Sequence, residues 1–364
     1  MSKGSFTKEH SALVKGAALL MMLWHHSFLE GRFEQYALSL WPLTAYQLTQ
    51  TASFFKICVS LFAFISGYGL YLSYQKSHAR QLPDGDWVAT RYRSTMSGYW
   101  FVVVLAWIAC MAVDGRPLRI YEFDHSIARG VWNGMVDFLG LSNFFGSPIL
   151  NGTWWYMSAA TVFILVTPVL FRSMERMGSA CTLGLIFVLP RLLGGYPGGS
   201  SWLSFLPAYY MGMVFAREAL FDRWTDFWEA RCTTLPRRGL KLAASLAAMA
   251  VLYVVYCRMS TSTFWDVKWG LIPVAVILFI RDYLSHIPLV SKALMFIGDH
   301  SMNIFLTHTF IRQYYCPRFT YEKGHIVLVI LVLLAISIAM SYAIEGLKKL
   351  LRYEQLLGKC FGKK

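Results

Sequence analysis

Ile326-Val-Leu-Val-Ile-Leu-Val-Leu-Leu-Ala-Ile-Ser-Ile-Ala-Met-Ser-Tyr-Ala-Ile344 is a run without a single charged residue. Wound as a helix it covers about 29 Å, the thickness of a bilayer's hydrocarbon core, so it reads as a membrane span. The rest of the chain follows suit. Of 364 residues, 56% are hydrophobic and only 15% charged, against roughly 25% charged in soluble domains. Ten spans of about 20 residues would use about 200 apolar positions, close to this inventory. Candidate spans lie at about 12–30, 53–74, 98–114, 154–171, 179–193, 202–217, 240–257, 267–281, 293–312 and 325–346. The expected fold is therefore all-α: a polytopic transmembrane helical bundle of about ten helices. Residues 1–350 form one membrane-embedded core, and 351–364 a short basic cytoplasmic tail.

The first run is read as a retained helix and not a cleaved signal, because it holds Lys15, His25 and His26 and lacks a small-residue cleavage site. The stretch 130–150 is apolar but broken by Gly130, Gly134, Gly140, Gly146 and Pro148. It is expected to be interfacial or re-entrant. Lys and Arg exceed Asp and Glu by 34 to 20. They are spread over short loops and form no single basic face, which argues against a nucleic-acid partner. Placing the N-terminus inside puts about twice as many of them on the inner side as on the outer, so both termini are expected to be cytoplasmic. Seven cysteines without a CxxC pair indicate neither a disulfide framework nor a zinc site. No metal is expected.

Polar residues at membrane depth are costly and call for a reason. Lys15 and His26 are eleven positions apart. At about 100° per residue they return to within about 20° of the same helix face, about 16 Å apart. His25 points about 80° away. A snorkelling Lys and a His bonded between helices would explain the pair equally well. Before the third span stands Thr-Arg91-Tyr-Arg93-Ser94, either topological charge or guanidinium groups suited to phosphate. The segment 297–308 packs Asp299, His300, Ser301, Asn303, Thr307 and His308 into one span, too polar to face lipid all round. Asn151-Gly-Thr153-Trp154-Trp155-Tyr156 opens the fourth span, and its aromatics read most simply as an interface belt.

Taken in order, Leu13-Val-Lys15-Gly…His25-His26, Ile57-Cys-Val-Ser-Leu-Phe-Ala-Phe-Ile-Ser-Gly-Tyr-Gly-Leu70, Thr153-Trp-Trp-Tyr-Met-Ser158 and Gly298-Asp-His-Ser-Met-Asn-Ile-Phe-Leu-Thr-His308 resemble the integral-membrane acyltransferase-3 family, which O-acylates cell-surface carbohydrates in bacteria. The resemblance implies a ten-helix core and a cytoplasmic acyl-CoA donor, acetyl-CoA in the simplest case. It also implies that Lys15 and His26 are the functional centre. The family's Arg-x-x-Arg aligns with Arg91-Tyr-Arg93-Ser94, so Ser94 stands where a second Arg is common and Arg93 lies one place earlier.

The expected activity is thus membrane O-acyl transfer to a carbohydrate hydroxyl in the bacterial cytoplasmic membrane. His26 and Lys15 are the catalytic candidates, and Arg91 and Arg93 are the donor-binding ones. His308, Ser301, Asn303 and Trp154 are candidates for supporting these groups or binding acceptor. Membrane lipid and the carbohydrate are the partners, and a homo-oligomer is compatible with the sequence. The rival is a transporter using the same His and Lys residues as a proton or substrate path. The lack of an internal hydropathy repeat weighs against it.

Overall fold

The computed structural model describes residues 6–29, 31–195 and 197–361; Lys363 and Lys364 of the expected basic tail lie outside the described residues. Apart from an isolated bridge between Ser39 and His325, the described secondary structure is helical. In chain order the helices are α1 (Lys8–Phe28), α2 (Ala45–Phe54), α3 (Cys58–Ala79), α4 (Asp84–Asp114), α5 (Arg116–Ile120) and α6 (Ile127–Phe138). There follow α7 (Ser142–Phe145), α8 (Trp155–Leu192), α9 (Trp202–Arg217), α10 (Leu220–Glu229), α11 (Leu235–Arg258) and α12 (Thr261–Asp266). Last come α13 (Ile272–Asp282), α14 (Pro288–Asp299), α15 (Ser301–Thr309), α16 (Pro317–Tyr321), α17 (Ile326–Leu350) and α18 (Tyr353–Phe361).

Among the described residues, six helical segments are long and apolar enough to cross a membrane: Ala45–Ala79, Asp84–Asp114, Gly152–Leu192, Leu235–Arg258, Thr261–His286 and Ile326–Leu350. Their exposed faces carry side chains such as Val104 and Ile108 on α4, Leu246 and Val251 on α11, and Leu328 and Leu331 on α17. Surfaces of that kind are stable only against lipid or another apolar surface, so the chain is a membrane protein. The runs expected at 154–171 and 179–193 are two helical stretches, divided at Gly178, whose backbone (φ 81°, ψ 162°) is not helical. α9, with 16 residues, and α1, interrupted by Lys15, His25 and His26, fall short of that length or apolarity.

The run 293–312 is not the single helix expected. α14 ends at Asp299, His300 leaves helical geometry (φ −90°, ψ 0°), and α15 starts at Ser301. Gly298, Asp299 and Ser301 are weak helix formers, two of them with side chains that compete for backbone hydrogen bonds. The division between two compact units falls at this break. The first comprises Met1–Leu29, Ala45–Asp84 and Phe163–Asp299, and the second Glu30–Thr44, Gly85–Val162 and His300–Lys364.

In the first unit, two helix pairs touch backbone to backbone. A Cβ on Gly16 of α1 would strike the Leu294 carbonyl of α14, and one on Gly298 would strike the Ala12 carbonyl. Gly67 of α3 and Gly212 of α9 make the same kind of contact with the carbonyls of Tyr209 and Phe64. Small residues at helix crossings are how membrane helices gain contact where lipid removes the hydrophobic drive. The second unit packs Tyr99, Val102, Trp154, Leu306 and Phe310 into its core. There α6, 12 residues long and too short to cross, buries Asn133 and Asp137 and exposes Ile127, Val131, Trp132 and Met135. That is the reverse of a water-facing helix and fits the interfacial placement expected for this stretch.

Candidate active site

α1 owes its start to Thr7, whose Oγ1 accepts from the His10 amide (3.2 Å) while the His10 ring accepts from the Thr7 amide (3.1 Å). This is a capping box with His in the usual Glu place. From there the helix runs unbroken to Phe28, so the eleven-residue spacing does set Lys15 and His26 on one face, both half-buried. The neighbouring His25 is different: it is buried, and its Nδ1 lies 2.7 Å from the Ala52 carbonyl of α2. A carbonyl can only accept, so the Nδ1 of His25 carries a proton and the ring is held by α2. Trp24 Nε1 donates to Thr51 Oγ1 (3.3 Å) and adds a second tie. The His26 ring stands edge-on to His25 with centroids 5.0 Å apart. At the other end, the field of Asp299, the last residue of α14, reaches Lys15. The sequence neighbours of these two charges, Gly16 and Gly298, are the residues that let α1 and α14 touch.

The remaining candidates fall in the second unit. Arg91 has a buried Nε without an acceptor. Arg93 Nη1 donates to the Phe361 carbonyl (2.9 Å), and its guanidinium lies 5.7 Å over the Phe361 ring. Arg93 therefore docks α18. Trp154 is in the core, 1% exposed, not at an interface. Its Nε1 donates to the Leu306 carbonyl (3.0 Å), as does Asn151 Nδ2 (3.3 Å). The reason is local: where α15 ends, the Phe310 amide bonds the Thr307 carbonyl, three residues back, instead of that of Leu306. The Leu306 carbonyl so released needs a donor.

Asn303 Nδ2 donates to Ser341 Oγ (3.0 Å) and Glu345 Oε1 (2.9 Å) of α17, and His300 Nδ1 meets the same Ser341 (2.9 Å). These are polar ties between helices. Ser301 is half-buried at the first position of α15. His308 is fully enclosed. Its Nδ1 faces the carbonyls of Ile304 (3.1 Å) and Phe305 (2.9 Å), and its Nε2 meets Thr309 Oγ1 (3.2 Å). Thr309 Oγ1 in turn approaches Thr153 Oγ1 (3.4 Å), joining His308 to the Asn151–Trp154 turn. Lys15 and His26 thus share one unit and one helix, whereas Arg91, Arg93, Trp154, Ser301, Asn303 and His308 belong to the other.

Sequence reasoning missed Asp137, which is 1% exposed. Its Oδ1 accepts from Tyr99 Oη (3.0 Å), and its Oδ2 from Tyr121 Oη (2.7 Å) and the Leu150 amide (2.9 Å). Burial pushes this carboxyl above its ordinary value, against the hydrogen bonds that pull it down. It fastens the 130–150 stretch to α4. The available signal was a lone carboxylate between Val136 and Phe138. Among the described residues, no three His, Cys, Asp or Glu side chains gather closely enough to hold a metal ion.

Compared with known protein families, residues 12–345 match the model Acyl_transf_3, described as an acyltransferase domain. No curated protein and no solved structure matched the chain. Because the family match runs from the start of α1 to the last turns of α17, the protein belongs to the acyltransferase-3 family.

Proposed function

We propose that the protein is an integral-membrane O-acyltransferase of the bacterial cytoplasmic membrane. It moves an acyl group, acetyl in the simplest case, from cytoplasmic acyl-CoA to a hydroxyl of a cell-surface or exported carbohydrate. The family match over residues 12–345 carries this reading. In the reaction, His26 takes the proton of the acceptor hydroxyl as its oxygen attacks the thioester carbonyl. A C–O bond forms, the C–S bond breaks, and the thiolate leaves and is protonated. Imidazole suits the step because its proton affinity lies near neutral pH. Lys15, on the same face of α1, is the cationic partner toward the donor side. Arg91 and Arg93 hold donor phosphate. His308, with both nitrogens engaged, supports and orients, as do Ser301, Asn303 and Trp154. The test is turnover of acetyl-CoA by protein in nanodiscs with isolated surface polysaccharide, followed by NMR of the product. Thiol release without a new ester on the carbohydrate would contradict the assigned acceptor.

A ten-span arrangement with both termini inside goes with this reading. Reporter fusions at the C-terminus and in the 217–239 loop should both give cytoplasmic signals, as the twofold basic bias requires. An external signal from either would place the donor on the wrong side. For the phosphate site, Arg91→Ala is expected to raise the KM for acyl-CoA more than it lowers kcat, because a lost ground-state contact shows in KM. Arg93→Ala should do the same and also lower the Tm, since its guanidinium docks α18. Unchanged donor KM in both folded variants would remove the two arginines from donor binding.

A further inference from the structure

The first unit contains a cavity of about 700 Å³ that no part of the reaction above uses. That is the size of a small-molecule site. Its wall includes His10 at the start of α1, Trp228 of α10, Arg238 and Lys241 of α11, Arg281 of α13, and His286. These residues stand in the first turns of α1 and α11, near the ends of α10 and α13 and in the segments that follow them.

Its charges are unequally engaged. Asp282 accepts from Lys241 Nζ (2.9 Å), Arg281 Nη1 (2.9 Å) and Trp224 Nε1 (2.9 Å), which fixes one anion among two cations. Arg281 Nη2 is spent on Thr225 Oγ1 (2.7 Å). Arg238, by contrast, is exposed and reaches only the Cys232 carbonyl through Nε, at 3.5 Å. The indole Nε1 of Trp228 is buried with no acceptor. Burial and the nearby Arg281 hold the His10 imidazole below its ordinary value, so at neutral pH it adds a hydrogen-bonding group and no charge. Glu229 is the second acid of the lining, and it is exposed. What the cavity lacks, then, is an acceptor-rich ligand. Guanidinium and ammonium groups beside the aromatic surfaces of Trp228 and Tyr283 are the setting in which a phosphorylated, planar-ringed molecule is held.

The placement of the cavity narrows the identity. His10 lies five residues before Lys15 and sixteen before His26 on one continuous helix, or about 7.5 Å and 24 Å along its axis. The geometry points to this cavity as the binding site for the phosphorylated nucleotide end of the acyl donor, with its thioester arm running along α1 toward Lys15 and His26. This rests on the acyl-CoA reading. A free adenine nucleotide offers the same phosphate and ring chemistry, so the test must separate the two.

Full-length protein in nanodiscs is titrated with coenzyme A, and separately with ADP, by calorimetry. Wild type should bind coenzyme A more tightly than ADP. Arg238→Glu should weaken coenzyme A by about 10-fold or more, the loss of one charge-assisted contact. Arg238→Lys should retain most of the affinity, and Trp228→Phe, which keeps an aromatic ring but removes the indole N–H, should lose part of it. Wild-type binding of coenzyme A with both Arg238→Glu and Trp228→Phe unimpaired would overturn the assignment while leaving the donor reading intact. Binding of ADP in preference to coenzyme A would make this a free-nucleotide site and overturn it too. No binding of coenzyme A by wild type would remove the donor reading itself.

Discussion

His26→Ala is expected to cut acyl transfer by about 100-fold or more, the lower end of what a positioned general base contributes, in protein that still folds. The side chain is half-buried, less enclosed than that of His25. His25→Ala should behave in the opposite way. It strips the Ala52 carbonyl of a buried partner at 2.7 Å, costing about 1–3 kcal/mol, with a smaller loss of rate per folded molecule. Measuring turnover and thermal unfolding on both variants separates the roles. Full activity of folded His26→Ala would take this residue out of the mechanism and turn attention to His308.

The second large effect concerns the crossing of α1 and α14. Gly16→Val should lose most of the folded protein, because the added carbons meet the Leu294 carbonyl and backbone, unlike a long side chain, cannot swing aside. Overpacking typically costs about 1–3 kcal/mol and more where nothing can give. The contact also sets the position of Lys15. Gly69→Ala is the control: a Cβ there meets nothing within 4 Å, and removing a helical glycine should stabilise by about 0.5–1 kcal/mol. Size-exclusion profiles and Tm values on the two variants decide it. A monodisperse, wild-type-like Gly16→Val would mean the helices do not cross at this point.

The helical, membrane-embedded character was legible because it rests on composition and on runs such as 326–344, and the shared face of Lys15 and His26 was legible because the helical period alone defines it. The break at His300 was not, since apolar residues continue on both sides and only the polarity of Asp299, His300 and Ser301 hints at it. Trp154 shows the same limit at the site. A Trp beginning a span looks like an interface residue until the tightened end of α15 at Phe310, invisible in sequence, turns the Leu306 carbonyl toward it. The division of the candidates between two units likewise depends on packing between distant segments, which spacing along the chain does not report.

α11 buries a single residue, Tyr256. Otherwise it is tied by polar contacts such as Lys241 to Asp282 and Ser245 Oγ to Tyr283 Oη (2.9 Å), and by Tyr253 edge-on to Phe54 of α2 (5.2 Å). Its place is therefore set largely by the match between its apolar length and the surrounding amphiphile. Short-chain surfactants, which form thin shells, would free this helix before any other part of the first unit yields, and Arg238 and Lys241 would leave with it. A preparation can thus keep a sharp elution profile and an intact α1 while losing ligand affinity, which makes bilayer mimetics of native thickness the medium for measuring it.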